Sequence, residues 1–410
     1  MSDDESNQAA VTLDDRIKEL SMDDQTSIEP TDDDFDSVVQ SFMNADLEKH
    51  GEESSSRSEG KLAIATFLKG VACYDIVPES TKVVVFDRNV PIRLSYYALV
   101  EHEIGAAPLW DPLSQNVCGI ITTLDFIEIL RYGHHTNSVA EILDNHSVAS
   151  WRSLVKQLRE SPTSAEVLVS SGVPAVEAAN MAAQFDLVKR RNTAHEIPTS
   201  GLHIHPDKSL YEACKMLKDY FVHWIPMVDE ECQVCLGVLT HLTVLQYLVT
   251  EFCEDRKIFE HPIRDLNIGT FASETKKINT ATMDTKVHEV LDFLSINRIS
   301  CVPILNKEGI PVAVYSRTNV IDLVSNNSVE NSLHMSLGSL IFGADYENEN
   351  QLNEIPERMQ VHSCAITDTL QQVFIKFAEV RVHRLIYVDE ADGSLQGIVS
   401  LSDLLSYFLD

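Results

Sequence analysis

From Tyr74 onward the apolar and polar positions repeat one arrangement four times. Each copy opens on an apolar strand, usually carrying a proline, that ends at an acidic or turn residue. A short polar turn and a second apolar strand follow. Next come a Ser or Thr, two further residues, and a polar residue that opens an amphipathic helix. The four copies are Ala106 to Asp111 with Gly119 to Ile127, Trp224 to Asp229 with Gly237 to Leu245, Cys301 to Asn306 with Ala313 to Ile321, and Arg384 to Asp389 with Gly397 to Leu405. Ahead of the strand pairs lie stretches such as Leu210 to Phe221 and Val287 to Asn297, with apolar residues three and four apart, which predict helices. The unit therefore reads strand, helix, strand, strand, helix, an α+β fold.

The closing polar positions 125, 243, 319 and 403 are 118, 76 and 84 residues apart. A unit of about 80 residues with one insertion accounts for all three intervals. The insertion falls at 159–200, punctuated by Ser161-Pro162-Thr163-Ser164 and Ile197-Pro198-Thr199-Ser200-Gly201. Within it Ala175 to Arg191 is helix-like, and Lys189-Arg190-Arg191 reads as a solvated helix end. One unit alone is too small to bury both faces of its sheet, so the units are expected to pair.

Charge adds an organisation that the repeat does not show. The 410 residues carry a formal net charge of −31, and residues 1–60 hold 18 of the 63 acids against 4 of the 32 bases. That segment has almost no aromatic residues and contains Ser54-Ser55-Ser56, so it is expected to be a disordered acidic tail. A chain this acidic repels a phosphate backbone, which argues against nucleic-acid partners. No apolar run approaches the roughly 20 residues of a membrane span, and Met1-Ser2-Asp3-Asp4-Glu5 does not resemble a secretory signal. A membrane is therefore not an expected partner, and the expected location is the cytoplasm, with the nucleus as a second compartment. Of the eight cysteines only Cys232 and Cys235 form a CxxC, without a second pair at zinc spacing. They read as turn cysteines, and His203-Ile204-His205 lacks further partners, so no metal site is expected.

The repeated Ser/Thr-x-x-polar corner has two readings. As a helix N-terminus, the hydroxyl accepts from an orphan N–H and the carboxylate sits at the positive end of the dipole. As a ligand site, a carboxylate at such a corner accepts the two hydroxyls of a ribose while backbone amides and hydroxyls hold the rest of a nucleotide. Four copies brought around one cleft would favour the second use.

These residues carry a resemblance. The four units resemble cystathionine-β-synthase-type (CBS) domains, arranged as in the gamma subunits of AMP-activated protein kinase. The matching stretches are Phe67-Leu68-Lys69, Cys73 to Pro78 and Lys82 to Asp87, then Ala106 to Asp111, Ile268 to Ala272, Val382 to Leu385 and Gly397 to Asp403. The resemblance implies repeats at 67–146, 201–255, 268–330 and 355–410, forming two tandem pairs that pack as a flat disk. It implies a non-catalytic regulatory subunit with a kinase alpha subunit and a scaffold beta subunit as partners. AMP, ADP or ATP would bind in one or two clefts, with no metal or organic cofactor.

By the same resemblance, Asp125 and Asp403 are ribose-contacting carboxylates, with Thr122 at the first corner. His223, Arg298, His383 and Arg384 face phosphate, with Ser316 and Arg317 nearby. Thr270, Ser300, Ser400 and Ser402 donate or accept hydrogen bonds. His383 and Arg384 are consecutive at a strand start, so their side chains are expected to point to opposite sides. The departures fall on Gly105, Trp224 and Leu242, where the family has cations, and on Thr243 and Asn319 in place of carboxylates. Each lost charge-assisted bond costs about 1.5–3 kcal/mol. A subunit of the same build with nucleotide sensing largely lost is therefore the alternative reading. A metal- or thiol-dependent enzyme on Cys232, Cys235 and the histidines has no nucleophile–base set to support it.

Overall fold

The computed structural model describes residues 53–77, 82–160, 201–231, 233–252, 256–273, 277–321, 323, 329–343 and 355–409. The expected tail up to residue 52 and the insertion from 161 to 200, including Ala175 to Arg191, lie outside these residues. The last part of the stretch assigned to the tail is helical: α1 spans Glu53–Gly70. Ile64 and Leu68, on one face of it, are buried.

Four units follow. The first consists of β1 (Phe86–Asp87), α2 (Ile92–Glu101), β2 (Ala106–Asp111), β3 (Asn116–Thr122) and α3 (Thr123–Thr136), followed by α4 (Val139–Asn145) and α5 (Val148–Glu160). The second has α6 (Leu210–Asp219), β4 (Trp224–Asp229), β5 (Val234–Thr240) and α7 (His241–Glu251). After a short strand β6 (Thr270–Phe271), the third has α8 (Val287–Ile296), β7 (Cys301–Leu305), β8 (Pro311–Ser316) and a 3-10 turn over Arg317–Val320. It continues into α9 (Val329–His334) and α10 (Leu337–Phe342). The fourth has β9 (Ser363–Ala365), α11 (Leu370–Val380), β10 (Arg384–Val388), β11 (Leu395–Ser400) and α12 (Leu401–Leu409). In the second and third units the expected leading strand shrinks to single bridges, Ile204 to Met227 and Ala281 to Ile304.

Two local details repeat with the units. Each antiparallel hairpin shifts register at the same place, after Leu109, Met227, Ile304 and Tyr387, opposite Gly119, Gly237, Ala313 and Gly397. Such a bulge sharpens the twist of a two-stranded ribbon. Three residues before each hairpin a residue takes a left-handed conformation: Glu103, Phe221, Arg298 and Arg381, with φ of 53, 53, 53 and 54°. A non-glycine side chain accepts this only where the surroundings demand it, so the turn is part of the unit's build.

The units close into a ring. The first and third share one apolar core and the second and fourth share another, each built mainly from helices. In the first core Tyr96 and Phe126 meet edge-to-face at 4.9 Å, and the Tyr96 hydroxyl donates to the Val320 carbonyl. In the second, Phe374 packs between Phe259 and Phe408 at 5.2 and 5.9 Å. Truncating such a buried aromatic costs about 3–5 kcal/mol. The strands make the other two contacts. β2 and β3 lie against β4 and β5, and Cys301, Val314 and Ile386 join the third and fourth hairpins. The order around the ring is thus first, second, fourth, third, two tandem pairs joined through their helices.

The segments flanking the units are distributed unequally. Those after the first and third units cover their own unit, with Pro91 bridging Ser147 and Lys286 bridging Ser336. Those before the first and third units cover the next one, with Ala72 bridging Ser209 and Pro262 bridging Thr369. Cys73 N donates to Lys208 O at 2.7 Å and Leu210 N to Val71 O at 2.9 Å. Residues 67–77 therefore pack into the second unit's core, although the sequence places them with the first repeat. Among the described residues, no helix is long and apolar enough to cross a membrane.

Candidate functional site

All four strand-to-helix corners close on themselves. Thr122 donates to Asp125 Oδ2 from its N–H (2.7 Å) and hydroxyl (2.9 Å). Ser400 does the same to Asp403 Oδ2 at 2.8 and 2.7 Å, and Asp403 N donates back to Ser400 Oγ at 3.2 Å. In the third unit Ser316 donates twice to Asn319 Oδ1, both at 2.7 Å. In the second, Thr240 and Thr243 exchange bonds at 3.0 and 3.1 Å. The helix-capping role is thus present at every corner. At Asp125 and Asp403 it uses one carboxylate oxygen, Oδ2. Asp125 Oδ1 is approached by Arg152 at 3.9 Å.

A cationic cluster occupies the middle of the ring. Arg317 is 7% exposed, and its Nε donates to Ile299 O at 3.0 Å. Burial first, then Arg384 and Arg298, pull its pKa down to about 10, while Glu128 acts the other way. Arg384 Nη1 donates to Ser300 O at 3.0 Å, and its Nε is buried without a hydrogen-bond partner. Three histidines border these cations. His223 is driven well below its ordinary pKa by burial and then by Arg317, His241 and Arg384. Burial and His383 bring His241 to about 4. His383 is brought to about 4 by its surroundings and Arg384, yet its side chain is open to solvent. His383 acts on His241 of the second unit and Arg384 donates to Ser300 O of the third, while both act on His223.

Neutral histidines beside protonated arginines make a site that attracts anions. Thr270 lies apart from this cluster, on β6, paired with Ile398 at the edge of the fourth unit's sheet. Gly397 permits this pairing, because a Cβ there would lie 2.6 Å from Thr270 O. Thr122 and Asp125 sit at the first unit's corner, beside Arg152 rather than with the arginines of the centre.

The departures fit one another. A Cβ on Gly105 would stand 3.0 Å from Trp224 Cζ2, so the indole fills the space that a side chain at 105 would need. Leu242 joins the second core's margin. Asn319 is fully buried, and its Nδ2 has no partner.

His241 was not expected at the site. It follows the corner threonine directly, the register that Arg317 holds in the third unit, and aligning the corners would have found it. Glu128 and Arg152 come from other turns and other elements, and no sequence signal marks them. His203 bonds Glu230 at 3.0 Å and His205 lies 3.6 Å from Asp207, so these two do not converge. Cys235 is a free, partly buried thiol, and Cys232 lies outside the described residues.

Comparison with known proteins agrees with this construction. The sequence model of the CBS domain matches residues 194–250, 269–326 and 352–410, which cover the second, third and fourth units. The 5'-AMP-activated protein kinase subunit gamma of Dictyostelium discoideum is 31% identical over 360 residues, 86% of this chain and 54% of that protein. The Saccharomyces cerevisiae gamma subunit is 26% identical over 351 residues, covering 85% and 92% of the two chains. The gamma-3 subunit of Bos taurus is 30% identical over 363 residues, 87% of this chain and 61% of the relative. The chain thus spans only about half of the Dictyostelium relative. Among solved structures, a Methanocaldococcus jannaschii protein proposed as an archaeal homolog of g-AMPK superposes with a TM-score of 0.55. It is 16% identical and covers 82% of this chain and 100% of its own, a likeness of fold. The chain is thus similar to CBS domains over its second, third and fourth units, and over most of its length to the gamma subunits of 5'-AMP-activated protein kinase.

Proposed function

We propose that the chain is a non-catalytic regulatory subunit that binds AMP, ADP or ATP in the ring's central clefts and passes their occupancy to a kinase. The observation that carries this reading is the cluster of Arg298, Arg317 and Arg384 with His223, His241 and His383, where Arg384 Nε is buried unpartnered. A phosphate would bring an acceptor for that Nε–H and negative charge to the arginines. On the fourth unit's side, Asp403 Oδ1 remains for ribose hydroxyls once Oδ2 has capped α12, and Thr270, Ser400 and Ser402 flank the sugar and base. A kinase alpha subunit and a scaffold beta subunit are the proposed partners, and cytoplasm and nucleus the proposed locations. The ligand shifts the kinase only in so far as it binds its active and inactive states unequally.

A second reading has support of its own. Gly105 and Trp224 occupy each other's space where two cations would be needed, which suits a structural subunit with sensing largely lost. Titration calorimetry with AMP and with ATP separates the two. Binding at millimolar dissociation constants or better supports sensing, and its absence leaves the structural role. Co-purification of kinase and scaffold subunits tests the partners, and recovery of neither overturns both readings.

A further inference from the structure

A second histidine group lies away from the central cluster, on the helical face that joins the first and third units. His134 comes from the last turn of α3, His288 from the first turn of α8, and His334 ends α9. One ring nitrogen from each lies within 4.8 Å of the others. The ring centroids of His134 and His288 are 4.6 Å apart, and those of His134 and His334 4.8 Å. The repeat pattern does not account for this group, and it plays no part in the proposed nucleotide site.

Its chemistry suits a cation rather than a shared proton network. His288 Nδ1 lies 3.0 Å from the Leu333 carbonyl, which can only accept, so Nδ1 carries the proton and Nε2 keeps its lone pair. A backbone carbonyl fixing one ring nitrogen so that the other can ligate is the usual outer arrangement of a metal-binding histidine. Asp292 lies one turn beyond His288 and accepts from Arg131 Nε at 2.6 Å. The Arg131 guanidinium is thereby paired, so the histidine group lies beside a compensated charge pair. Lone pairs gathered in this way repel one another unless something positive lies between them.

We propose that His134, His288 and His334 form a site for a borderline divalent transition metal, zinc foremost, that ties the first unit to the third. Imidazole nitrogens suit this class, with calcium and magnesium excluded by the lack of oxygen ligands. Tetrahedral ligation at about 2.0–2.1 Å needs the nitrogens roughly 3.3 Å apart, so the rings close inward on binding. His334, exposed at the end of a six-residue helix, has the freedom to make that movement. The fourth position is left to water.

The test uses the full chain, stripped by chelator and titrated with Co2+ by visible absorption and with Zn2+ by calorimetry. One equivalent per chain is expected, at a dissociation constant of about 10 μM or tighter. His334→Ala, an exposed change that leaves the core intact, should weaken binding at least about 10-fold and abolish any zinc-dependent rise in Tm. His288→Ala should do the same, with circular dichroism confirming the fold. A Cys232→Ser/Cys235→Ser double variant should retain the metal. The proposal is overturned if no metal binds at about 100 μM, if binding survives His334→Ala, or if it is lost in the cysteine variant.

Discussion

Replacing Arg317 by methionine should strengthen the free protein and weaken its grip on nucleotides. Arg317 is 7% exposed, and its burial, with Arg384 and Arg298 outweighing Glu128, takes its pKa from 12.5 to about 10. A drop of that size corresponds to a charged form destabilised in the fold by roughly 3 kcal/mol relative to the unfolded chain. Both forms are protonated at neutral pH, so the penalty is constant there. Methionine has similar bulk and no charge to desolvate. The loss is the Nε bond to Ile299 O, about 1 kcal/mol. The net expectation is a gain of about 2 kcal/mol, a rise in Tm of roughly 2–3 °C for a chain of this length. Scanning fluorimetry with and without AMP or ATP reads both effects. Saturating nucleotide should raise the parent's Tm and leave the variant's nearly unmoved. If the variant is less stable than the parent and still shifts with nucleotide, Arg317 is a strut of the fold and the anion site lies elsewhere.

Asp403→Ala should weaken nucleotide binding about 10- to 150-fold, and Asp125→Ala less, because Arg152 already approaches the Asp125 carboxylate. Equal losses by calorimetry would remove that ranking. His241, 5% exposed, has a folded pKa of about 4 against an ordinary 6.5. The unfolded chain therefore takes up the proton first, and stability is lost as pH falls from 6.5 towards 4. At pH 5 this amounts to roughly 2 kcal/mol. The urea midpoint of His241→Gln should accordingly fall less between pH 7 and pH 5 than the parent's, and parallel shifts would refute the assignment. Gly269→Ala should cost about 2 kcal/mol or more, since φ is +97° and the new Cβ would meet Ile398 O at 2.8 Å. Nucleotide affinity should drop with it as β6 and Thr270 shift. A variant as stable as the parent would show that β6 yields without cost.

What the chain disclosed by pattern was what is local. The helices expected over Leu210 to Phe221 and Val287 to Asn297 end at Asp219 and Ile296, because a left-handed residue, Phe221 or Arg298, closes each turn. Hairpins and corners were legible because strand alternation and capping residues act within a few positions. The leading strands were not, since Ile204 and Ala281 make one bridge each and depend on their partners for any extended form. The site was half legible. Arg298, Arg317, His383 and Arg384 could be named from family likeness, but that the three arginines meet, with Glu128 of the first unit acting on Arg317, depends on how the ring closes. The histidines at 134, 288 and 334 are distant in sequence, and only the packing of α3 on α8 brings them together.

The exchange of flanking segments also governs how the protein can be made. Helix α1 presents Ile64 and Leu68 to a core whose other walls include Leu210, Leu217 and Phe408. On a ribosome adding about 5–20 residues per second, that apolar face leads the second unit's Ser209 by roughly ten seconds. The first unit can collapse in the interval, whereas α1 has nothing of its own to cover it and is a ready target for a chaperone. Shortening the chain at its start would then injure the second unit and spare the first.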